Sequence, residues 1–549
     1  MSDGESNKGV KGVKPYHWPA GGWGSLRATG RALNRQGILL EGGQTLRKLN
    51  QPEGFDCMSC AWPDQHPPGK FEFCENGAKA VAWEATERRA DGGFFAAHTV
   101  SELWQWSDHD LEDAGRLSQP LAYDPASDRY LPTTWGHALA RIGKALHALD
   151  HPDQLELYTS GRASNEAAFL YQLFGRRFGT NNFPDCSNMC HEPTSAAMPK
   201  SLGVGKATVI LEDFEQCDAI FCIGHNPGTN HPRMLGTLSQ AARRGCTIVA
   251  FNPMRERGLE RFANPQDAKQ MATLGSTQLA GHYYQLRIGG DVAMLKGLMK
   301  ALLATDTASG GKTLDHAFIA AHTQGFDALK ADIEATHWAD IERVSGLSRT
   351  DLEAAASIYA RAERVIVCYG MGITQQVHGS ANVQQIANLL LLRGNIGKPG
   401  AGMAPLRGHS NVQGDRTVGI NHAPPEAFLE RLGQRFGFTP PRKPGHTVLD
   451  AIPAMALGEA RALICLGGNL AVAAPDPDGT FRALRGLDLT VHIATKLNRT
   501  HLAHGKASFI LPCLGRSEID RQASGPQRVT VEDSMCTVRS SGGVREPAS

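Results

Sequence analysis

The 549-residue chain has no stretch of about 18 consecutive apolar residues, so nothing in it reads as a bilayer-crossing helix. Its opening, MSDGESNKGVKGVKPYHWPAGGWGSL, has neither an apolar core of signal-peptide length nor a twin-arginine pair. The expected compartment is therefore the cytoplasm. Charge of one sign is not in excess: 56 Lys and Arg meet 55 Asp and Glu, for a formal net charge of +1. That balance excludes a chain that grips nucleic acid or inserts at an anionic membrane through its field. No fixed-period repeat occurs. The only low-complexity stretch is the Gly-, Lys- and Ser-rich start, which is expected to be loose.

What is present points to several globular domains. The length suffices for about three or four. The 41% apolar and 20% charged fractions are ordinary for such chains. Sixty Gly suit tight turns and close approach of backbone to a ligand. Twelve Cys in a cytosolic chain are expected as thiols or metal ligands. Ser164 is placed to cap a helix whose Ala167, Leu170, Tyr171, Phe174 and Phe178 share one face, and Gly179 to end it. Short apolar runs alternate with helical patterns: AIFCIG (219–224), a helix over 232–244, TIVAFNP (247–253), RVIVCYG (364–370), a helix over 382–392, then ALICLGG, LTVHIA and SFILP. That alternation predicts α/β domains with open, mostly parallel, Rossmann-like sheets.

Three groups of residues carry chemistry. Cys57-Met-Ser-Cys60, followed by Cys74, presents thiolates suited to an iron–sulfur cluster. A zinc site with His66, or three reduced thiols, fits the same residues. The second group is FGTNNFPDCSNMCHEPTSAAM (178–198), where Cys190 and His191 are adjacent and Cys186 lies four residues before. A thiolate beside an imidazole suits a soft metal with a proton acceptor next to it. It equally fits a buried Cys and a surface His. It is not a c-type haem site, because position 187 is Ser. The third group is a set of Gly, Asn and Pro turns at strand ends, among them GHNPGTNHPR, FNPMRE, RIGGD, GMGIT, RGNIGKPGAGM and RGHSNVQG. Such loops expose backbone N–H groups that can hold phosphates at the carboxyl ends of strands. Gly370-x-Gly372 lacks the third Gly of a nicotinamide fingerprint, since position 375 is Gln. The number of these loops favours one large phosphate-bearing ligand, or two. Asn226, Asn252, Asn411 and Gln413 could bond phosphate or another polar group of such a ligand, and Lys398 and Arg407 could meet phosphates; each is also a plausible turn or surface residue.

Taken jointly, the segments GFDCMSCAWPD, FEFCENGAKAVAWEAT, YTSGRASNEAAFLYQLFGRRFGTNNFPDCSNMCHE, LEDFEQCDAIFCIGHNPGTNHPRM and GNIGKPGAGMAPLRGHSNVQG resemble the molybdopterin oxidoreductase superfamily. The likeness is to its formate-dehydrogenase branch, in the FdhF/YdeP-type alpha-subunit group, and covers nearly the whole chain. It implies a multidomain formate dehydrogenase/DMSO reductase-like fold with a small N-terminal iron–sulfur domain. Residues 1–110 are expected to form the cluster segment, 111–185 with 365–510 one α/β pterin-binding domain, and 186–364 a second. Residues 511–549 are expected to begin a C-terminal β-rich region that relatives carry further.

The resemblance also implies ligands. A molybdenum ion on two molybdopterin guanine dinucleotides would bind Cys190, with His191 as proton acceptor. A four-iron, four-sulfur (4Fe-4S) cluster would use Cys57, Cys60 and Cys74, with Asp64 at the position of the family's remaining cysteine. A carboxylate there is a harder ligand than thiolate. Lys79 would stand between cluster and pterin, and Asp291 would meet a guanine dinucleotide. Gln384 stands where formate enzymes place an arginine over the metal, and it has no charge to pair with a carboxylate. The resemblance thus implies two-electron chemistry on a small-molecule substrate and an electron-transfer partner more firmly than it implies formate. A related oxyanion reductase, or a non-catalytic electron-transfer scaffold, is the alternative.

Overall fold

A computed structural model describes residues 16–548. The loose start expected of the chain falls mostly outside the described residues.

Two open sheets organise the molecule. In the first, strands Leu155–Thr159, Ala462–Leu466, Leu489–Ala494 and Ala507–Pro512 lie parallel in that spatial order. Leu121–Asp124 and Arg129–Pro132 extend its far edge antiparallel. In the second, the order is 282–284, 247–251, 219–223, 365–369 and 402–405, all parallel. The central strands AIFCI and VIVCY are buried at every position. Strands covered by helices on both faces read as unbroken apolar runs for this reason.

The sheets divide the chain differently from the sequence expectation. Val365–Tyr369 was expected to join the 111–185 domain; instead it pairs with Ala219–Ile223 in register Val365↔Ala219. The second sheet therefore runs on to Pro405, and the first resumes only at Ala462. Five helices between Asp291 and Arg361 separate the second sheet's two halves. Run composition marks each strand but not the partner across that insertion. The N-terminal boundary moves as well. Helices Gly22–Arg35, Leu39–Leu46 and Glu75–Glu84 share a core of Leu33, Ile38, Leu46, Phe55 and Val81. Phe95, Leu103 and Leu111 instead pack with Leu497 and Ile510 of the first sheet's region.

The helix expected after Ser164 spans Asn165–Phe178; Ser164 Oγ accepts from Ala167 N at 3.2 Å, and Gly179 ends it at φ 117°. Its buried face is Ala168, Tyr171 and Gly175, whereas Leu170 and Phe174 are exposed. Small residues face the sheet because the approach is close: a Cβ on Gly175 would lie 2.3 Å from Leu157 Cδ1. The C-terminal hairpin Val529–Glu532/Val538–Ser541 docks on this helix, Thr530 Oγ1 donating to Glu166 at 2.7 Å. Among the described residues no helix is long and apolar enough to cross a membrane.

Candidate active site

A cavity of about 1410 Å³ opens where the first sheet's parallel strands end at their carboxyl termini. Ordinary small-molecule pockets hold about 300–1,000 Å³. Ser160 and Arg162 follow the first strand, Gly467–Asn469 the second, Thr495–Asn498 the third, and Cys513–Arg516 the fourth. Ligands of open α/β sheets bind in this crevice. Met58 and Lys79 from the cysteine-bearing segment close one side, and Cys186, Met189 and Cys190 another.

Cys190 is the last residue of the short helix Cys186–Cys190. Asp185 starts that helix, accepting from Ser187 N at 2.6 Å, and is itself paired with Arg416 at 2.8 Å. Thr374 Oγ1 donates to the Cys190 carbonyl at 2.5 Å, and Gln375 Nε2 to that of Met189 at 2.8 Å. The thiol is thus held on a rigid turn facing the cavity. Burial pushes it up to about 11, against the pull of the Arg407 charge. Arg407 is buried: its Nη2 donates to the Gly205 carbonyl at 2.8 Å and its Nε has no partner.

His191 does not line the cavity. It is fully buried, its Nε2 lies 2.9 Å from the Leu406 carbonyl and its Nδ1 3.2 Å from Thr194 Oγ1. A carbonyl only accepts, so Nε2 carries the proton and Nδ1 accepts from Thr194, which in turn accepts from Tyr369 at 2.8 Å. The free proton acceptor expected beside the metal is therefore engaged on both nitrogens. Burial, with the Arg407 charge, holds this imidazole well below the usual range.

The same reasoning fixes a second histidine pair. His231 Nε2 donates to the Arg407 carbonyl at 2.7 Å, so its Nδ1 accepts from His225 Nε2 at 3.1 Å. That leaves the His225 Nδ1 lone pair buried without a partner. His225 follows strand 219–223 beside Gly370, where the order in which the chain adds parallel strands to the second sheet reverses, between 219–223 and 365–369. Gly224 and Gly372 meet there so closely that a Cβ on Gly372 would lie 2.7 Å from the Gly224 carbonyl oxygen.

Cys57, Cys60 and Cys74 come together in the N-terminal unit. Cys74 begins helix Glu75–Glu84, and a Cβ on Gly77 would lie 3.1 Å from Cys57 Sγ and 3.8 Å from Cys74 Sγ. Burial raises all three thiols, Cys60 to about 11, against the charge of Arg233. Asp64 is buried and already paired with two guanidinium groups, Arg233 at 2.5 Å and Arg539 at 3.3 Å. A cluster would have to displace those charges to gain it as a ligand. Among the described residues no three His, Cys, Asp or Glu side chains converge on a single metal ion. A four-iron cube holds its ligands further apart than one ion does.

The other expected contacts divide. Lys79 lines the cavity, in an ion pair with Glu75 at 2.5 Å. Asn226 caps residues 227–230 and donates to Glu256 at 2.6 Å. Asn252 clamps His225 by its backbone N and O. Asp291 accepts from Gln376 at 2.9 Å. Asn411 and Gln413 tie their loop to Glu532 at the C-terminal hairpin. Gln384 is half-buried on helix Gly379–Leu391 and does not line the cavity; Met371 and Gln375 do. Lys398 lies in a separate dent with Lys312, Asp315, Glu363 and Arg393. Residues not foreseen include Arg31, Arg162, His409 and Lys496 on the cavity wall. Burial lowers Lys496 to about 8 and His409 to about 3. Arg31 and Lys496 occur singly, outside any motif, whereas Arg162 and His409 sit within YTSGRASNE and RGHSNVQG with nothing in their spacing to single them out.

Comparison with known proteins adds four findings. The family model described as Molybdopterin oxidoreductase matches residues 116–513. Protein YdeP of Escherichia coli is 56% identical over 542 residues, covering 98% of this chain and 71% of that protein. An uncharacterized oxidoreductase of Mycobacterium tuberculosis is 45% identical over 521 residues, 94% of this chain and 66% of that one. Among solved structures, acetylene hydratase from Pelobacter acetylenicus matches with a TM-score of 0.60 at 17% identity, over 81% of this chain and 60% of that chain. That last likeness concerns the fold alone.

Proposed function

The chain belongs to the molybdopterin oxidoreductase family, and from that premise we propose that its cavity holds a molybdenum ion on two molybdopterin guanine dinucleotides, with Cys190 as the protein ligand. Cys57, Cys60 and Cys74 would hold a 4Fe-4S cluster. The observation that carries this reading is the meeting of Cys190 and Lys79 across one cavity too large for an ordinary substrate. The residues fit the group. Arg31, Lys79, Arg162 and Lys496 supply cations for phosphates. The unpartnered Arg407 Nε and His225 Nδ1 follow strands 402–405 and 219–223 of the second sheet and do not line this cavity.

When bound, the cofactor supplies two-electron redox chemistry and the cluster one-electron steps toward a partner. The chain's residues do the rest. Cys190 would hold the metal as a thiolate, the ligating form of the side chain. The Tyr369–Thr194–His191 chain fixes the Leu406 carbonyl and so the Arg407 backbone beside it. His191 thus acts as a positioning residue in the resting geometry, and it would take a proton only after its bond from Thr194 turns away.

Gln384, standing where formate enzymes place an arginine, keeps an oxyanion reductase as the alternative to formate. Gln384 carries no charge, whereas Arg407 is a buried guanidinium whose charge acts on Cys190 and which pairs with no carboxylate among the described residues. An anion held there would offset its desolvation. The test is to purify the chain anaerobically and count metals. About one molybdenum and about four iron atoms per chain are expected. Iron without molybdenum would remove the enzymatic reading.

A further inference from the structure

Cys217 and Cys246 lie away from the cavity, at the amino-terminal ends of the neighbouring strands Ala219–Ile223 and Thr247–Phe251. This is the edge of the second sheet opposite the Gly224–Gly372 crevice. Their sulfurs are 3.6 Å apart although the residues are 29 positions apart in sequence. Both are free thiols in an otherwise apolar core. Arg244 Nη2 lies 3.8 Å from Cys217 Sγ and donates to the Phe214 carbonyl at 3.0 Å. Cys217 donates its own S–H to the Phe214 carbonyl at 3.5 Å, so towards Arg244 and Cys246 it is the acceptor, and the Cys246 S–H points to it. Arg244 and Gly245 are exposed, and the turn at Gly245 has open space around it. One flexible side chain therefore covers the pair.

We propose that Cys217 and Cys246 are an oxidative modification site, forming a reversible disulfide when the protein meets hydrogen peroxide. The Cys217 thiolate, its proton released to solvent, attacks one peroxide oxygen. The O–O bond breaks, hydroxide leaves and takes a proton to become water, and Cys217 becomes a sulfenic acid. The Cys246 sulfur then attacks that sulfur, its proton and the sulfenic OH leave as a second water, and the S–S bond forms. Each thiol gives up one electron overall and the peroxide takes both. Donors from Cys246 and then Arg244 hold Cys217 below the ordinary thiol range, which suits it to the attacking role. Cys222 and Cys368, opposite each other deeper in the same sheet, have no such covering cation.

The test uses the purified full chain, titrated with hydrogen peroxide, with free thiols alkylated and the protein then digested without reduction. The expected result is a linked peptide pair joining Cys217 to Cys246, appearing while Cys222 and Cys368 stay alkylatable and reverting with dithiothreitol. In Cys246→Ser, dimedone is expected to label Cys217, since the sulfenic acid has no resolving thiol. The proposal is overturned if both thiols stay reduced at peroxide levels that oxidise the exposed Cys536. It is equally overturned if Cys217 or Cys246 links to another cysteine, or if Cys246→Ser gives no dimedone adduct at Cys217. The wild-type measurement needs no variant to fold.

Discussion

His191 Nε2 donates to the carbonyl of Leu406 at 2.9 Å, joining the turn after Cys190 to the end of the second sheet 215 residues later. This bond fixes the imidazole's tautomer, so the residue beside the proposed metal ligand is a neutral strut. Replacing His191 by Phe leaves the Leu406 carbonyl without this donor and the Thr194 O–H without its acceptor, and is expected to cost about 1–3 kcal/mol in denaturant unfolding. The nitrogen resonances of His191 in labelled protein are expected to show neutral imidazole throughout pH 6–8. A midpoint near 6.5 would contradict this assignment.

Asp64 and Arg233 form a buried pair at 2.5 Å beside the three cysteines. Asp64→Asn is expected to keep the full iron content of the wild type, because the thiols do the ligation. Arg233→Leu leaves Asp64 with Arg539 alone and is expected to destabilise the fold by about 3–5 kcal/mol. Iron content and unfolding midpoint of both variants check this. A stable Asp64→Asn protein that has lost iron would make Asp64 a ligand.

Glu156 is buried on the first sheet, its Oε1 2.5 Å from His446 Nδ1. Burial raises the carboxyl from 4.5 to about 7, and its hydrogen bond raises His446 above 6.5. Both groups bind protons more tightly folded than unfolded. Their contribution is therefore complete at low pH and is lost as pH rises, beginning at 4.5 and continuing through about 7 and the raised His446 value. The melting temperature of the wild type is expected to fall more steeply over that window than that of Glu156→Gln. Parallel profiles would show that the pair does not titrate with folding.

Local signals in the sequence were reliable where the cause is local. Ser164 and Gly179 bound their helix because cap geometry depends on adjacent backbone. The apolar runs became strands because sheets covered on both faces need unbroken apolar segments. Leu170 and Phe174 were assigned to the wrong face because the tight contact at Gly175 rewards small residues that a hydrophobic pattern overlooks. Val365–Tyr369 was assigned to the wrong sheet because pairing is decided across a long helical insertion. At the site, Cys190 and Lys79 were legible from their motifs and both face the cavity. The occupancy of His191 and Asp64 was not, since their partners Leu406, Arg233 and Arg539 lie far along the chain.

Molybdenum X-ray absorption on wild type and Cys190→Ser, each isolated with its metal, tests the central claim most directly. The wild-type metal is expected to show one more sulfur neighbour than the variant, whose lost scatterer is replaced by oxygen, while the pterin sulfurs remain in both. Identical sulfur shells would mean that Cys190 does not hold the metal, and the proposed centre would have to be placed elsewhere in the cavity.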